Sequence, residues 1–362
     1  MSKLTGNKGE WSEIYVFLRL LEIGKLYAAT ENLERKDSVF YDILKIIRNE
    51  TLGVLEFVYN KESCTITLFK KGENQPILSL DAASFKKEAD KLYEEIVSSK
   101  GSSFSIPDTE NFLNQLKITT LKAKSSDKSD ICIKIHDINS GYNAKRGFSI
   151  KSRLGASSTL INAGRTTNFI YQVIGNITPE NINDFNNLNK FHDKFDLLNN
   201  INCELKYVGM ENQVFKNNLI LIDSDLPQML ANVLKQYYCN GISVLSQAVN
   251  EVEKENPLKY DLNCGQPFYP YKIKKLLMEC AVGMTPSKIW SGTFDATGGY
   301  IIVREDGEVL CYHLFNKNDF ENYLFKNTKL ETPSTSRHDF GKIYKDGENY
   351  FIKLNLQVRF IK

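Results

Sequence analysis

The chain has 362 residues, which is enough for two domains or for one large elaborated domain. Apolar residues make up 42% and charged residues 25%, the balance of an ordinary globular protein, so a long disordered chain is excluded. No apolar run is long enough to cross a bilayer, and the N-terminal "MSKLTGNKGEW" has no hydrophobic signal core, so neither membrane insertion nor export is expected.

The first predicted element is a helix that begins after Asn7. "NKGE" matches a capping box, with Asn7 as N-cap and Glu10 at the third helical position, and Gly24 is expected to end the helix. At about 100° per residue, one face of this helix is apolar. That face contains Trp11, Ile14, Leu18 and Leu21, broadened by Tyr15, Phe17 and Leu20. Glu10 and Glu13 fall inside or at the edge of the apolar sector, and carboxylates that face an interior need a chemical reason.

The next stretch is predicted to mix helices and strands. Residues 38 to about 49 are predicted as a second helix, and "VLEFVYN" and "CTITLFKKG" as the two strands of a hairpin. "DAASFKKEADKLYEEIVSS" is predicted as a helix capped by Asp81, and "NFLNQLKI" as a short helix. "ICIKIHDI" and "GFSIKS" are then two strands, joined by "NSGYNAKR" with its turn-forming residues.

Helix and strand are hard to separate in "TLINAGRTTNFIYQVIG", while the Asn-rich segment after it is predicted to be helical. Two more helices, "LPQMLANVLKQYYCNG" and "ISVLSQAVNEVEKEN", precede a shift toward strands at Gly298, where an Asp-Gly turn indicates a hairpin. The sequence therefore predicts an α/β fold: a mixed β-sheet flanked by helices, with an additional β-rich C-terminal region. A boundary near 240 would separate a catalytic region, residues 1–240, from residues 241–362.

Positive charge is concentrated between Lys117 and Arg153. This span contains nine Lys or Arg residues and only three acidic residues, a local excess of +6, although the net charge of the chain is only +2. Such a cluster suits a polyanion such as nucleic acid. On charge alone, a solvated lysine-rich linker followed by a hairpin is the favoured explanation.

Lys151 lies where a half-buried strand is expected, and its neighbours give it a chemical context. Residues 131, 133, 135 and 137 share one face of their strand, so Asp137 lies at the end of an apolar row. A hairpin can bring Asp137 close to Ser149 and Lys151, and the opening helix can add Glu10 or Glu13. Carboxylates are preferred ligands of Mg²⁺, and an ammonium group can orient the attacking water or stabilise phosphate charge. The pattern is that of a metal-dependent phosphodiesterase.

Each of these residues also has an ordinary structural explanation. A lysine on a half-exposed strand is usually a solvated edge residue, and an aspartate at the end of a strand usually belongs to a turn. Capping alone can account for Glu10. Without further information the structural explanation is the more frequent one.

Other chemistries lack their sequence signatures. The four histidines are widely spaced, and the seven cysteines contain no CxxC pair, so a His-metal nuclease, a zinc knuckle or a disulfide framework is not favoured. Reduced thiols in a cytoplasm fit this cysteine pattern. There is no GxSxG, no GxxxxGK[ST] and no GxGxxG after a strand, so ATP-driven translocation is not suggested.

Three long segments resemble the HpaII family of type II restriction endonucleases. They are "TGNKGEWSEIYVFLRLLEIGKLYAA", "GFSIKSRLGASSTLINAGRTTNFIYQV" and "FDATGGYIIVREDGEVLCYHLFN" with "TKLETPSTSRHDFGKIY". They lie near both ends and in the middle, so the resemblance covers essentially the whole chain. It implies a PD-(D/E)xK nuclease core, a Mg²⁺ cofactor and cleavage of duplex DNA at CCGG.

The resemblance also implies roles for individual residues. Asp137 would be the metal-ligating acid of the first strand and Lys151 the lysine of the second, with Asp130 a less suitable substitute for Asp137. Ser149 stands where the standard pattern has Asp or Glu, and "PD" is absent as well. Some members of the wider superfamily have Ser there and recruit a carboxylate from a helix, which Glu13 or Glu10 would supply.

Two segments are predicted to contact DNA. "STSRHDFG" places Arg337 and His338 in a turn-rich loop, where Arg337 could donate to guanine or to a phosphate. "RLGASSTLINAGRTTN" directly follows Lys151 and is rich in groups that bind phosphates or bases. These groups are Arg153, Ser157, Ser158, Thr159, Asn162, Arg165 and Asn168. The alternatives are a surface turn for the first segment and amides that satisfy buried backbone groups for the second.

We therefore expect a cytoplasmic type II restriction endonuclease that needs Mg²⁺ and acts on double-stranded DNA. Residues 241–362 would contribute to DNA recognition. A palindromic target favours a two-fold homodimer or sequential nicking by a monomer. The alternatives are a non-catalytic sequence-specific DNA-binding protein and an interaction scaffold whose basic segment is merely solvated.

Overall fold

The structure, a computed structural model, describes residues 4–122, 129–137 and 141–362. The strands are β1 (Lys25–Ala29), β2 (Arg35–Glu50), β3 (Gly53–Asn60), β4 (Thr65–Lys70), β5 (Leu78–Asp81), β6 (Ile131–Asp137), β7 (Tyr142–Ser152), β8 (Thr159–Ile161), β9 (Asn168–Ile174), β10 (Glu204–Met210), β11 (Gly299–Val303), β12 (Val309–His313), β13 (Thr328–Leu330), β14 (Ile343–Asp346), β15 (Asn349–Asn355) and β16 (Val358–Phe360). The helices are α1 (Lys8–Ile23), α2 (Ala82–Ser98), α3 (Pro107–Gln115), α4 (Pro179–Asn187), α5 (Phe191–Asn200), α6 (Gln213–Ile222), α7 (Leu226–Asn240), α8 (Leu245–Glu255), α9 (Phe268–Val282), α10 (Lys317–Lys326) and α11 (Thr335–His338).

By its internal contacts the chain divides into two compact units. Unit 1 comprises Met1–Ser158, Phe294–Phe320 and Lys362, and unit 2 comprises Thr159–Thr293 and Glu321–Ile361. This division does not fall near residue 240. The reason is that β11 and β12, which are distant in sequence, pair with β7 and β1 and so belong to the sheet of unit 1.

Unit 1 contains a mixed nine-stranded sheet in the order β1-β12-β11-β7-β6-β2-β3-β4-β5. β11 runs parallel to β7 and β1 parallel to β12, whereas the other pairs are antiparallel. An additional pairing of β1 with β2 joins six of these strands into a closed ring. The expectation of a mixed α/β fold is confirmed at this level.

Unit 2 contains two smaller sheets. One has four strands in the order β10-β9-β15-β14, and the other has three in the order β13-β16-β8. Helices α4–α9 belong to the same unit. The strands of the β-rich C-terminal region do not form a sheet of their own. β11 and β12 belong to the sheet of unit 1, and β13–β16 belong to the two sheets of unit 2. None of the helices in the described part of the chain is long and apolar enough to span a membrane.

The predicted first helix is confirmed as α1. Asn7 and Glu10 form both bonds of the capping box, and Gly24 ends the helix in the left-handed region at φ 67°. Its whole predicted apolar face is buried in the core of unit 1, together with residues of β2, β3 and β6. Burying such a face is the main source of stability for an amphipathic helix. The packing of α1 therefore fixes the positions of Glu10 and Glu13.

The helix predicted for residues 38–49 is wrong, because this stretch is part of strand β2. It is rich in β-branched and aromatic residues, and β3 and β6 pair with it on its two sides. Tyr41, Ile43 and Ile46 are buried, with a register shift between Ile43 and Lys45. Since the shift interrupts the two-residue alternation, the pattern along the sequence imitates helical spacing.

Candidate active site

The two glutamates at the start of α1 have different surroundings. Glu10 accepts the backbone N–H of Asn7 at 2.9 Å, and its other oxygen is 3.2 Å from Lys122 Nζ. These partners, the Asn7 N–H first, lower the pKa of Glu10 from its ordinary value. Capping accounts for the orientation of Glu10, which leaves Glu13 as the carboxylate of this helix that still needs an explanation.

The hairpin of β6 and β7 decides which residues of the two strands meet. Asp137 pairs with Tyr142 at the turn end of the hairpin. Lys151 lies further along β7 by nine residues (142 to 151), which is roughly 30 Å at the usual rise of a strand. The expected contact of Asp137 with Ser149 and Lys151 is therefore wrong. The turn is shorter than predicted, because residues 142–146 already belong to β7 and shift the register.

Asp137 lies in other surroundings. It is buried, with 8% of its surface exposed, and pairs with Tyr41 of β2 as well as with Tyr142. Its charge acts on buried His313, whose pKa burial lowers to about 4, with a further lowering by Arg146. This carboxylate therefore belongs to the interior at the turn end of the hairpin.

Asp130, the residue before β6, is the acid that meets the second strand. Its backbone N–H donates to Phe148 O at 2.9 Å, which continues the pairing of β6 with β7. Its Oδ2 accepts from Ser149 Oγ at 3.0 Å and from the Ile150 N–H at 2.7 Å. Since both bonds use Oδ2, the other oxygen has no hydrogen bond to a residue that the structure describes and can ligate a cation. If β7 is taken to begin at Tyr142 and not at Gly147, the register of the β6–β7 hairpin identifies Asp130 as the acid beside Ser149.

Glu13 of α1 completes a pair of carboxylates with Asp130. Burial raises the pKa of Glu13 to about 8, and the negative charge of Asp130 raises it further, while Lys122 and Arg48 oppose the shift. A glutamate whose pKa is raised by burial and by a neighbouring aspartate is a frequent feature of functional sites. The helix glutamate expected to replace the acid missing at position 149 is therefore placed beside Asp130.

Lys151 interacts with the same pair. Its pKa is lowered by burial, and the charges of Asp130 and Glu13 oppose that lowering. Its ammonium lies 5.1 Å from the centre of the Tyr300 ring, on β11. The structure thus brings together four residues in unit 1: Glu13, Asp130, Ser149 and Lys151.

The carboxylate pair suits a hard divalent cation. Within residues 4–122, 129–137 and 141–362 no group of three or more His, Cys, Asp or Glu side chains could hold a metal ion. Mg²⁺, however, is commonly held by one or two carboxylates, with waters and substrate phosphates completing its octahedron. A cation beside Asp130 and Glu13 would offset the burial and the repulsion by Asp130 that together raise the pKa of Glu13. The chemistry of the donor set therefore fits.

A cavity of about 520 Å³ borders this site. Its lining includes the start of α1, the end of β7 and the loop that follows β7. The lining residues of these segments are Asn7, Lys8, Gly9, Glu13, Ile150, Ser152, Leu154, Gly155, Ala156 and Ser158. The cavity gives a substrate access to Glu13, and Ile150, whose backbone N–H donates to Asp130, lines it as well.

Comparison with known proteins decides the family. The family model described as HpaII restriction endonuclease matches residues 7–360. The chain belongs to the HpaII restriction endonuclease family. The type II restriction enzyme HpaII of Haemophilus parainfluenzae is 40% identical over 358 residues, which covers 99% of each chain. No solved structure matches the chain.

Membership of the HpaII family confirms the resemblance of the three sequence segments. The chain is accordingly a type II restriction endonuclease, a site-specific deoxyribonuclease. This assignment favours catalysis over the two non-catalytic alternatives, the DNA-binding protein and the interaction scaffold.

Three of the residues predicted to bind DNA in this HpaII-family chain lie in unit 1. Ser158 lines the cavity beside Glu13, and Ser157 is half-buried next to it. Arg153 donates its backbone N–H to Val303 O at 2.9 Å, and its side chain lines another cavity, of about 370 Å³. Of the wider basic cluster, Lys124 and Lys128 lie outside the described residues.

The other predicted DNA contacts lie in unit 2 and differ in exposure. Asn162 and Arg165 are exposed, and Thr159 is half-buried in β8. Arg337 is exposed in the short helix α11, and His338 is half-buried at its end. Asn168, in contrast, is 0% exposed. A fully buried amide cannot reach a base or a phosphate, so the predicted DNA contact of Asn168 is wrong.

Asn168 instead belongs to a buried network of hydrogen bonds in unit 2. Its Nδ2 donates to Glu211 Oε2 at 2.7 Å and to His338 O at 2.9 Å. Its Oδ1 accepts from Asn355 Nδ2 at 2.6 Å, and the same Nδ2 donates to Gly164 O at 2.7 Å. The network ties the end of α11 to the segment that carries Arg165. This is the alternative in which amides satisfy buried backbone groups.

Replacing Asn168 by Ala should lower the free energy of unfolding by about 3 kcal/mol, because it leaves a carboxylate, an amide and a carbonyl without their buried partner. Urea unfolding followed by circular dichroism measures this. Arg165→Ala, a change at an exposed side chain of the same segment, is the control and should leave the midpoint nearly unchanged. Equal midpoints for Asn168→Ala and the unmodified protein would contradict the role of the network.

Proposed function

We propose that the chain hydrolyses phosphodiester bonds of duplex DNA in the cytoplasm at a short palindromic site, CCGG, with Mg²⁺ as cofactor. The proposal is supported by one observation: the side chains of Glu13, Asp130, Ser149 and Lys151 lie together at one end of β7. Family membership supplies the reaction class. The arrangement resembles a PD-(D/E)xK site in which Ser149 stands at the second acidic position and Glu13 supplies its carboxylate.

Asp130 and Glu13 would hold the cation. Such a cation, when bound, offsets the charge that builds up on the phosphate and makes water easier to deprotonate. Ser149 and the Ile150 N–H keep the Asp130 carboxylate oriented, because both donate to its Oδ2. Glu13 would lose its proton when the cation binds, since the positive charge offsets both its burial and the repulsion by Asp130.

Lys151 would act on the reacting groups. Its ammonium has three donors, which can orient the attacking water and bind a non-bridging oxygen of the phosphate. Burial makes its charge act in a medium where solvent screens less, so the stabilisation of the phosphate is larger than at the surface. Attack by water then breaks the bond to the 3′ oxygen and leaves a 5′-phosphate.

Sequence recognition would involve residues 241–362, within which Arg337 presents an exposed guanidinium. An arginine can donate to O6 and N7 of guanine in the major groove, which distinguishes G·C from C·G. Exposed Asn162 and Arg165, with Arg153, Ser157, Ser158, Thr159 and His338, would contact the DNA as well. A palindromic target suits a two-fold homodimer or sequential nicking by one protomer.

A plasmid assay tests the proposed function. Unmethylated plasmid incubated with the protein and Mg²⁺ should give discrete fragments ending at CCGG, and EDTA should prevent cutting. A mobility shift without cutting would indicate a non-catalytic DNA-binding protein, and neither result would indicate a scaffold. Methylation of the target cytosines should block cutting, because it changes base edges in the major groove. Cleavage of methylated and unmethylated DNA at the same rate would contradict the proposed contacts to base edges in the major groove.

Replacing Lys151 by Ala should lower the single-turnover cleavage rate on the order of 10³-fold, because the transition state loses a positioned cation and proton donor. DNA affinity, measured by fluorescence anisotropy in Ca²⁺, should change little. Lys134→Ala, on the neighbouring strand β6, is the matched control and should cut normally. Unchanged cutting by Lys151→Ala would remove this residue from the site.

A further inference from the structure

We infer that Ser12 and Ser152 are positioning residues that hold Glu13 beside Asp130 through a hydrogen bond between their side chains. The two hydroxyl oxygens are 2.8 Å apart and link residues separated by 140 positions in the sequence. Ser12 immediately precedes Glu13 on α1, and Ser152 immediately follows Lys151 on β7. This inference rests on the proposed function, because it gives a role to Glu13 as a ligand.

Each hydroxyl in this link also contacts the backbone. Ser12 Oγ is 2.7 Å from Lys8 O in the preceding turn of α1, and the Leu154 N–H donates to Ser152 Oγ at 3.1 Å. Since a hydroxyl has one proton, Ser12 donates to Lys8 O or to Ser152 Oγ, and Ser152 Oγ accepts from Ser12 and from the Leu154 N–H. The chain of bonds therefore runs from the backbone after β7 to the backbone of α1.

The link lies on the face of β7 that packs against α1. Ser152 alternates with Lys151 along the strand, so it points to the same side as Phe148 and Ile150, which belong to the core that α1 enters. Ser12 is 0% exposed. Apolar packing alone lets a helix slide or rotate slightly against a sheet, whereas a hydrogen bond between fixed positions selects one arrangement.

The same contact continues into the loop after β7. A Cβ added at Gly155 would lie 3.2 Å from Lys8 Cβ, so the loop approaches the first turn of α1 closely. Ile150, two residues before Ser152, donates its N–H to Asp130. Holding α1 against this end of β7 thus sets the place of Glu13 relative to Asp130, which determines whether both carboxylates can bind one cation.

The test compares Ser12→Ala, Ser152→Ala and the double variant with the unmodified protein. Mn²⁺ affinity, measured without DNA by electron paramagnetic resonance, should fall on the order of 10-fold in each single variant. The double variant should be no weaker than the singles, because the two changes remove the same bond. Single-turnover cleavage should fall at low Mn²⁺ and recover as Mn²⁺ is raised, while DNA affinity in Ca²⁺ stays unchanged.

Two control variants separate positioning from general structural damage. Ser98→Ala removes a hydroxyl that donates to Glu95 O at 3.3 Å at the end of α2, a bond within its own helix, and should not change Mn²⁺ affinity. Ser152→Thr keeps the hydroxyl at the cavity and should restore Mn²⁺ binding. Unchanged Mn²⁺ affinity in both single alanine variants would overturn the inference, as would effects that simply add in the double variant.

The outcomes also distinguish this inference from the proposed function. If Lys151→Ala is inactive and the serine variants bind Mn²⁺ and cut normally, only the positioning role fails. If Lys151→Ala cuts normally, the proposed site fails whatever the serines do. If Ser152→Ala loses DNA affinity and Ser12→Ala does not, Ser152 binds the DNA backbone from the cavity and the positioning role is overturned.

Discussion

Replacing Asp130 by Asn will lower the single-turnover cleavage rate on the order of 10³-fold, whereas Asp137→Asn will leave cleavage largely intact. Asn at position 130 has nearly the shape of Asp and can still accept the Ser149 and Ile150 bonds with its oxygen. It lacks the negative charge that a divalent cation needs. The change therefore removes the proposed ligand without removing the local structure.

Asp137→Asn is the matched control, since Asp130 precedes β6, Asp137 is its last residue, and only Asp130 lies beside Ser149. Cleavage rates are to be measured at saturating Mg²⁺, and thermal unfolding of both variants checks that they are folded. Loss of cleavage in a folded Asp137→Asn variant, with Asp130→Asn active, would restore the original prediction and remove the site described for Asp130.

Replacing Glu13 by Gln will weaken Mn²⁺ binding by at least 10-fold at pH 8 and abolish most of its pH dependence. In the unmodified protein a proton competes with the cation for Glu13, whose pKa is raised to about 8 by burial and by Asp130. Affinity should therefore rise by about tenfold per pH unit from pH 6 to 8 and level off above. Glutamine binds no proton in this range, so its weaker affinity should be nearly flat.

The raised pKa also predicts how the stability of the metal-free protein depends on pH. The contribution of Glu13 is fully present below its unfolded value of 4.5 and is lost as pH rises through about 8, because the folded state must then bury a carboxylate beside Asp130. In EDTA, the unmodified protein should melt at a lower temperature at pH 9 than at pH 6. Glu13→Gln should lose less on the same change of pH.

Glu10→Gln is the matched control for these measurements. Glu10 lies one turn away on the same helix, and its carboxylate accepts the cap N–H of Asn7. Its replacement should leave the pH dependence of Mn²⁺ affinity in place. If Glu10→Gln flattens the pH profile and Glu13→Gln does not, the ligand on α1 is Glu10, the other glutamate that the sequence offered.

The residues that could be identified from the sequence are those whose signal is local. The Asn7–Glu10 capping box, the apolar face of α1 and Gly24 predicted this helix to within a residue, because caps and helical spacing depend on neighbours in the chain. Ser149 and Lys151 were found on one strand for the same reason, since alternation in a strand is also a local property. Glu13 was recognised because its carboxylate falls within or at the edge of the apolar face of its helix.

The partner of Lys151 could not be identified in this way. Whether Asp130 or Asp137 meets β7 depends on hairpin register, and a shift of a few residues in the turn exchanges one acid for the other. Residues 142–146 contain Lys and Arg and read as a turn, yet they pair in the sheet. Pairing with a neighbouring strand outweighs the weak intrinsic preference of single residues, and no local pattern records it.

The sequence by itself determined the family, the helix that carries Glu13 and the strand that carries Lys151, because these follow from long shared segments and short-range periodicity. The tertiary structure alone decided that Asp130 is the neighbouring acid, that Asn168 is buried, and that β11 and β12 join unit 1. Each of these depends on contacts between residues far apart in the chain, where burial and register, not local preference, set the free energy.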